Sequence, residues 1–249
     1  MLTATRQAKI LDSLRTDGEV SVELLAGRFG VSASTIRRDL NSLSSDGLLR
    51  RVRGGGSVEA DRVPFSESRR VRSAEKEAVA ERAASLVDDG DVVLIDIGTT
   101  TALLARHLRG RRLTVVTSSL AVIDELRDDD DVELIVLGGA VRKTYHSMVG
   151  VLTEQALAQI RASVCFMGTS GIRSDGTISD TTGMEVPVKH AMIESSNRVV
   201  VLADSSKFPG IGLLDVCGPE RFSTVVTNPD ADAPTLEVLR SAGVEVLTA

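Results

Sequence analysis

The sequence predicts an α/β protein in two parts: a short helical head closed by a β-hairpin, then a larger open α/β domain on a mostly parallel sheet. Three observations carry that expectation. Apolar residues recur at helical spacing in three segments of the head, as far as Leu43, and give way to alternation with basic residues in GLLRRVRGGGSV. From Asp91 onward, short Val/Leu/Ile runs without strict alternation are separated by helical segments, as in strands buried on both faces of a parallel sheet. A chain of 249 residues with 42% hydrophobic content is also long enough for two cores.

In the head, TRQAKILDSLR sets Ile10, Leu11 and Leu14 along one helical stripe, and Gly18 stops it. SVELLAGRFG starts with Ser21 as N-cap, buries Leu24 and Leu25, and ends at Gly30. After a turn, Ser32 caps a third helix whose Ile36, Leu40 and Leu43 face inward. The opposite stripe is Ser34, Arg38 and Asn41, flanked by Thr35, Arg37 and Ser42. Two helices joined by a short turn, the second bearing hydroxyls and guanidinium groups outward, read as a helix-turn-helix over about residues 20–39. GLLRRVRGGGSV then alternates apolar and basic residues up to a glycine turn. Added to three helices, that hairpin makes a winged helix with Arg50, Arg51 and Arg53 on the wing.

Charge supports the same partner. The chain carries −6, yet residues 1–60 hold nine Lys+Arg against seven Asp+Glu, a local +2. Between residues 28 and 53 stand six arginines (Arg28, Arg37, Arg38, Arg50, Arg51, Arg53) and two aspartates (Asp39, Asp46). A basic patch by itself is weak evidence, but with the helix-turn-helix it points to double-stranded DNA. Ser32, Ser34, Thr35, Arg37, Arg38 and Asn41 are placed for the major groove, and the wing arginines for phosphate or the minor groove. The alternative for this module is protein interaction alone. Aromatic content of 2% argues against a base-stacking binder of single strands.

VSASTIRRDLNSLSSDGLLRRVRGGGSV resembles the N-terminal signature of DeoR-type bacterial transcription regulators, V-S-x-x-T-I-R-R-D-L, then G-L-L-x-R, then a glycine-rich wing. Arg53 stands where that family commonly has His; the change keeps a donor and adds fixed charge. The spacing of Pro64, Phe65, Arg69, Glu75 and Lys76 is similar to the same family.

Residues 1–58 are thus expected as the DNA-binding domain, 59–72 as a linker around Pro64, and 73–249 as a second domain. The linker leads into a helix that runs from about Ser73 to near Gly90. Beyond it the strands are DVVLID, LTVVTSS, VELIVLGG, SVCFMG, RVVVLAD, STVVTN and VEVLT, with ligands expected at their carboxyl ends. LIDIGTTTALLARHL places Gly98, Thr99, Thr100 and Thr101 between a strand and a helix. Their N–H groups and hydroxyls make either an anion site without lysine or an ordinary capped turn. The loop lacks the endings that would suit ATP or dinucleotides. Small and hydroxyl residues at neighbouring strand ends (Ser118, Ser119, Gly139, Gly168) leave room for a polar ligand. Glu185 and Lys189 are four apart on one helix, in the order that favours a surface ion pair, and Pro187 places the helix start near Met184–Glu185. Lys207, in ADSSKF, is a second cation at a strand end.

In this order these segments resemble the sensor domain of the DeoR-type regulators, whose fold is related to ribose-phosphate isomerases and glucosamine-phosphate deaminases. Asp96–Thr100, Thr117–Leu120, Gly138–Gly139, Gly168–Ile172, Glu185–Lys189 and Asp204–Phe208 match the family's motifs. Met184 replaces a common His, and Pro187 a frequent Arg. The resemblance implies a phosphorylated sugar whose phosphate rests on the Gly98–Thr101 loop, with Asp96, Ser118, Ser119, Gly139, Gly168, Glu185, Lys189 and Lys207 around it. It implies a repressor of a carbohydrate catabolism operon, released from its operator by that effector and acting as a homo-oligomer, dimer or higher. The rival is an isomerase or deaminase-like enzyme tethered to DNA, since a carboxylate and a lysine suit proton transfer on a sugar. No cofactor is expected, and His107, His146 and His190 lie too far apart in sequence to suggest a metal. Cys165 and Cys217 read as reduced small hydrophobes rather than a disulfide. With no apolar run of membrane length and no leader-like stretch, a cytoplasmic protein with no membrane partner is expected.

Overall fold

The computed structural model describes residues 3–17, 19–45, 49–52, 55–57, 65–210, 212 and 214–249. The chain forms two compact units, Met1–Val63 and Pro64–Ala249.

The first unit runs α1 (Thr3–Asp17), β1 (Glu19–Ser21), α2 (Val22–Phe29), α3 (Ala33–Ser45), β2 (Arg50–Val52) and β3 (Gly55–Ser57). Ser21 caps α2 by accepting from the Leu24 N–H, and Gly30 closes it in the left-handed region at φ +64°. Leu25 is buried as expected, but Leu24 is 51% exposed. The inward positions of this short helix are Val22 and Leu25, three apart, and Leu24 lies outside the stripe that they define. Ile10, Leu11, Ile36, Leu40 and Leu43 form the core of the unit. The hairpin β2–β3 gains β1 as a third antiparallel strand, in the order β1-β3-β2. The stop expected at Gly18 lies outside the described residues, as does the side chain of Leu14.

The second unit begins with α4 (Phe65–Arg70) and α5 (Ser73–Ala84), then β4 (Val92–Ile95), α6 (Thr99–His107), β5 (Leu113–Thr117), α7 (Leu120–Leu126) and β6 (Val132–Val136). It continues with β7 (Ala140–Arg142), β8 (Ser147–Val149), α8 (Val151–Leu157), β9 (Val164–Gly168), β10 (Gly171–Ile172), β11 (Ile178–Asp180) and α9 (Val186–Glu194). It closes with β12 (Val199–Leu202), β13 (Leu214–Cys217), β14 (Thr224–Thr227), α10 (Ala233–Ser241) and β15 (Glu245–Thr248). Part of the stretch expected as linker is therefore helical. Lys76 of α5 closes the end of α4 by donating to the Ser68 and Val71 carbonyls, both at 2.8 Å.

The seven apolar runs form one parallel sheet in the order β15-β14-β12-β9-β4-β5-β6. Alternate residues feed opposite faces. Leu94, Cys165 and Val201 join α8, α9 and α10 on one side, while Val93, Phe166 and Val200 join α5, α6 and α7 on the other. From β4 the order proceeds one way through β5 and β6, and from β9 the other way through β12, β14 and β15. The ends of β4 and β9 are therefore the switch point at which such sheets take ligands. Two short antiparallel pieces, the hairpin β7–β8 and the group β10-β11-β13, stand apart from this sheet.

Candidate functional site

In the first unit, α3 sets the outward face. Ser32 caps it, its Oγ accepting from the Thr35 N–H at 3.2 Å, and lies 2.8 and 2.9 Å from the hydroxyls of Ser34 and Thr35. Ser34, Arg37, Arg38 and Asn41 are exposed and Thr35 and Ser42 half-buried. Of the two acids that the sequence sets against this patch, Asp46 lies outside the described residues and Asp39 is not on the patch. Asp39 is buried and takes both a 2.5 Å and a 3.0 Å bond from the Arg6 guanidinium of α1. Arg37 lies 3.9 Å from Glu23, but both side chains are more than half exposed, so water and salt screen that pair. Arg28 instead donates to Ser13 on α1. Arg50 and Arg51 lie in β2, with side chains outside the described residues, and so does the whole of Arg53.

In the second unit, the residues meet at the ends of β4 and β9. Asp96, directly after β4, is fully buried and accepts from the Gly168 N–H at 3.0 Å. Lys189 reaches the same carboxylate from the first turns of α9, donates to the Gly168 carbonyl at 2.8 Å, and lies 3.7 Å from Asp180 at the end of β11. Gly168 is required by packing, because a Cβ there would sit 2.9 Å from the Ile97 carbonyl oxygen.

Glu185 and Lys189 do not form the surface pair that their spacing suggested; both are buried. Glu185 is the residue before the first turn of α9 and accepts instead from Arg142 of β7 at 2.7 Å and from the Ser147 hydroxyl of β8 at 2.9 Å. Each finds a buried partner from a distant strand, which a desolvated charge needs more than a helical neighbour.

These surroundings set protonation. Burial alone would draw the Lys189 ammonium down, but Asp96 and Asp180 outweigh it and hold it above the ordinary lysine range. Burial pushes the Glu185 carboxyl up, the charge of Asp96 adds to this, and Ser147, Lys189 and Arg142 oppose it. Lys189 is therefore held protonated with its donors engaged, a poor starting state for a general base.

The Gly98–Thr101 loop follows Asp96 directly. Gly98 precedes α6 at φ +139°, a conformation that favours glycine, and leaves the first N–H groups of the helix without intrahelical partners. The Thr101 hydroxyl donates back to the Gly98 carbonyl at 3.0 Å, so it shapes the loop, while Thr99 is half-buried and Thr100 buried. Ser119 is likewise committed, accepting from the Val122 N–H as the cap of α7. The neighbouring Ser118 hydroxyl is buried with no hydrogen-bond partner. Gly139 is pressed between Val149 and the Thr153 hydroxyl, a packing position. Lys207 ends a short 3-10 turn after β12 that Asp204 caps, and its charge is felt at Lys76.

Sequence reasoning missed Arg142, Ser147, Asp180 and Thr182. They belong to short strands or turns without a pattern of their own. Among the described residues no three metal-ligating side chains cluster, and no helix is long and apolar enough to cross a membrane. Both cysteines are free, and burial pushes the Cys217 thiol up to about 11.

Comparison with known proteins covers both units. Residues 6–61 match the DeoR-like helix-turn-helix domain, and residues 71–229 the DeoR C-terminal sensor domain. The glycerol-3-phosphate regulon repressor of Escherichia coli is 32% identical over 96% of this chain and 96% of its own length. The transcriptional repressor AccR of Agrobacterium fabrum is 35% identical over 91% of this chain and 90% of its own. The lactose phosphotransferase system repressor of Lactococcus lactis is 30% identical over 93% of each. Among solved structures, a ribose 5-phosphate isomerase A from Methanocaldococcus jannaschii is similar at 20% identity, covering 55% of this chain and 54% of that one with a TM-score of 0.41. Matched in both units, and aligned with these repressors over nearly its whole length, the chain belongs to the DeoR family of helix-turn-helix regulators.

Proposed function

We propose that the chain represses a carbohydrate catabolism operon by binding operator DNA through α3 and the wing, and that a phosphorylated sugar at the ends of β4 and β9 releases it. The observation that carries this reading is the outward face of α3. Its only acid, Asp39, is turned inward onto Arg6, so hydroxyl, amide and guanidinium groups alone are presented. Ser34, Thr35, Arg38 and Asn41 read base edges, while Arg37 and the wing residues Arg50, Arg51 and Arg53 serve phosphate. Two copies of the chain hold two half-sites, in the cytoplasm where the operator lies.

For the effector, the free N–H groups at the start of α6 and the Thr99 and Thr100 hydroxyls take the phosphate. Asp96, Gly168, Glu185 and Lys189 shape the adjoining wall, with Ser118, Ser119, Gly139 and Lys207 at neighbouring strand ends. To move operator occupancy from mostly bound to mostly free, the effector must favour the released state by about 5.5 kcal/mol. A few charge-assisted hydrogen bonds at ~1.5–3 kcal/mol each supply that, provided they form unequally in the two states.

The experiment pairs two variants. Arg37→Ala/Arg38→Ala is expected to lose operator binding and keep effector binding; Thr99→Val/Thr100→Val to keep operator binding and lose release. Retention of operator affinity at physiological salt by the first, or unchanged release by the second, refutes the assignment. An enzymatic role is checked in the same preparations by following turnover of pentose and hexose phosphates. The engaged donors of Lys189 and the paired carboxylate of Glu185 speak for sensing over proton transfer.

A further inference from the structure

We infer that the β7–β8 hairpin is the lever that carries effector occupancy to α4, with Arg142 gripping the effector site and Thr144 and His146 holding Phe65 at the start of α4. This rests on the effector reading above. At its base, one Arg142 nitrogen donates to Glu185 at 2.7 Å and to the Thr182 hydroxyl at 3.0 Å, and Ser147 donates to the same Glu185 oxygen. The Met148 and Leu120 N–H groups tie the hairpin to the β5–α7 turn through Ser118 and His146 carbonyls, at 2.9 and 2.8 Å. At the tip, the Arg142 guanidinium lies 4.3 Å over the Tyr145 ring. The His146 ring stacks on Phe65 with centroids 5.0 Å apart and planes 11° from parallel. The Phe65 N–H donates to the Thr144 carbonyl at 3.3 Å.

A single side chain, Arg142, thus touches both the effector wall and the aromatic tip, and the tip holds the first residue of α4. The far end of α4 is fixed separately, by Lys76 and by an Arg69–Glu125 pair at 3.2 Å. Phe65 is therefore the end free to follow the hairpin. Two properties make the hairpin movable. It is a two-stranded piece outside the large sheet, stable only through what it touches, and His146 is held at φ +50°, a costly conformation for a residue with a Cβ. A sugar hydroxyl in the crevice that donates to Glu185 competes with Arg142 for that carboxylate. As the guanidinium shifts, Tyr145 and His146 shift with it, and Phe65 loses or changes its stack.

Tyr145 is the only tyrosine and the chain has no tryptophan, so tyrosine fluorescence of the full chain reports on the hairpin alone. The DNA is an operator fragment selected in vitro by the full chain. The probe is whichever of inorganic phosphate, glycerol 3-phosphate, ribose 5-phosphate and fructose 6-phosphate binds the wild type most tightly. Saturating probe is expected to change Tyr145 fluorescence and to weaken operator binding by about 10⁴-fold, the differential that near-complete release requires. Phe65→Ala should keep probe affinity, the fluorescence change and probe-free operator binding, while the probe-induced weakening falls towards onefold. Phe65→Trp, which keeps a stacking ring, should restore the weakening. A Phe65→Ala protein released as well as wild type, or a tyrosine signal unmoved by saturating probe, overturns the lever. Failure of every sugar phosphate to bind or release the wild type overturns the effector reading, and the lever with it.

Discussion

Replacing Lys189 by Met removes an ammonium while keeping a stem of similar length, and leaves Asp96 buried with the Gly168 N–H and without its cation. Breaking a buried pair by deleting one partner costs ~3–5 kcal/mol, because the remaining charge is uncompensated. The reverse deletion is milder here. Asp96→Asn leaves Lys189 with the Gly168 carbonyl and with Asp180 at 3.7 Å, so a loss of about 1–3 kcal/mol is expected. At ~2–4 °C per kcal/mol for a unit of this size, Lys189→Met should lower the calorimetric transition of the second unit by roughly 6–20 °C, and Asp96→Asn by less. The double variant should lose less than the two losses together. The pH dependence has a definite sign. Burial already holds the Asp96 carboxyl above its ordinary value, and Lys189 opposes that rise. Without Lys189 it rises further, the folded variant takes up a proton at higher pH than wild type does, and the deficit relative to wild type shrinks as pH falls from neutrality. Scanning calorimetry of the full chains at several pH values checks this. Equal losses for the two single variants at neutral pH, or a deficit that does not change with pH, would refute the reasoning.

Asp39→Ala should destabilise the first unit by ~3–5 kcal/mol, the range for breaking a buried pair, since the Arg6 and Asp39 side chains are both less than a tenth exposed. Urea unfolding followed by operator binding reads it, and an unchanged midpoint would show that the pair carries no stability. Lys76 gives a pH signature. Burial pulls its ammonium down to about 8; Asp204 works against the shift, and Lys207 and Arg72 add to it. Between about 8 and the ordinary value of 10.5 the unfolded chain holds a proton that the folded chain does not. Stability from this group is thus complete above that window and lost as pH falls through it. Wild type should therefore gain on Lys76→Met as pH rises from 8 to 10.5, and a constant difference in urea midpoint would sink the assignment.

The large sheet was legible because its strands are buried on both faces. A strand covered from above and below has to be a run of Val, Leu and Ile, and VVLI, VCFMG and VVVL read that way without help. The short antiparallel strands were not legible. Gly171–Ile172 or Ser147–Val149 is too brief to show a period, and each exists through its partner. Helix caps at Ser21 and Ser32 are local chemistry and came through, whereas Leu24 shows the limit: adjacent apolar residues can both be buried, as Ile10 and Leu11 are, so that Leu25 faces in and Leu24 out depends on where the helix is docked. In the candidate site, Asp96 and Lys189 stand out singly as charged residues near strand and helix ends. That they meet across 93 positions, or that Arg142 meets Glu185 across 43, is a property of topology with no local trace.

That topology also bears on how a ligand would lie in the crevice. The wall built by Asp96, Asp180 and Glu185 against Lys189 and Arg142 holds three carboxylates and two cations, and hydrogen bonds within the wall already engage both cations. Such a wall repels a phosphate dianion and suits sugar hydroxyls, which donate to carboxylates. The start of α6 has the opposite character, with unpaired N–H groups and the positive end of the helix dipole. On the proposed reading, the ligand therefore lies with its phosphate at Gly98–Thr100 and its hydroxyls toward Glu185 and Asp180. Replacing a hydroxyl by hydrogen at the carbon nearest those carboxylates should then weaken binding more in wild type than in Glu185→Gln, whereas removing the phosphate should weaken both alike. If the phosphate proved the more sensitive group to Glu185→Gln, the polarity assigned to the crevice would be wrong.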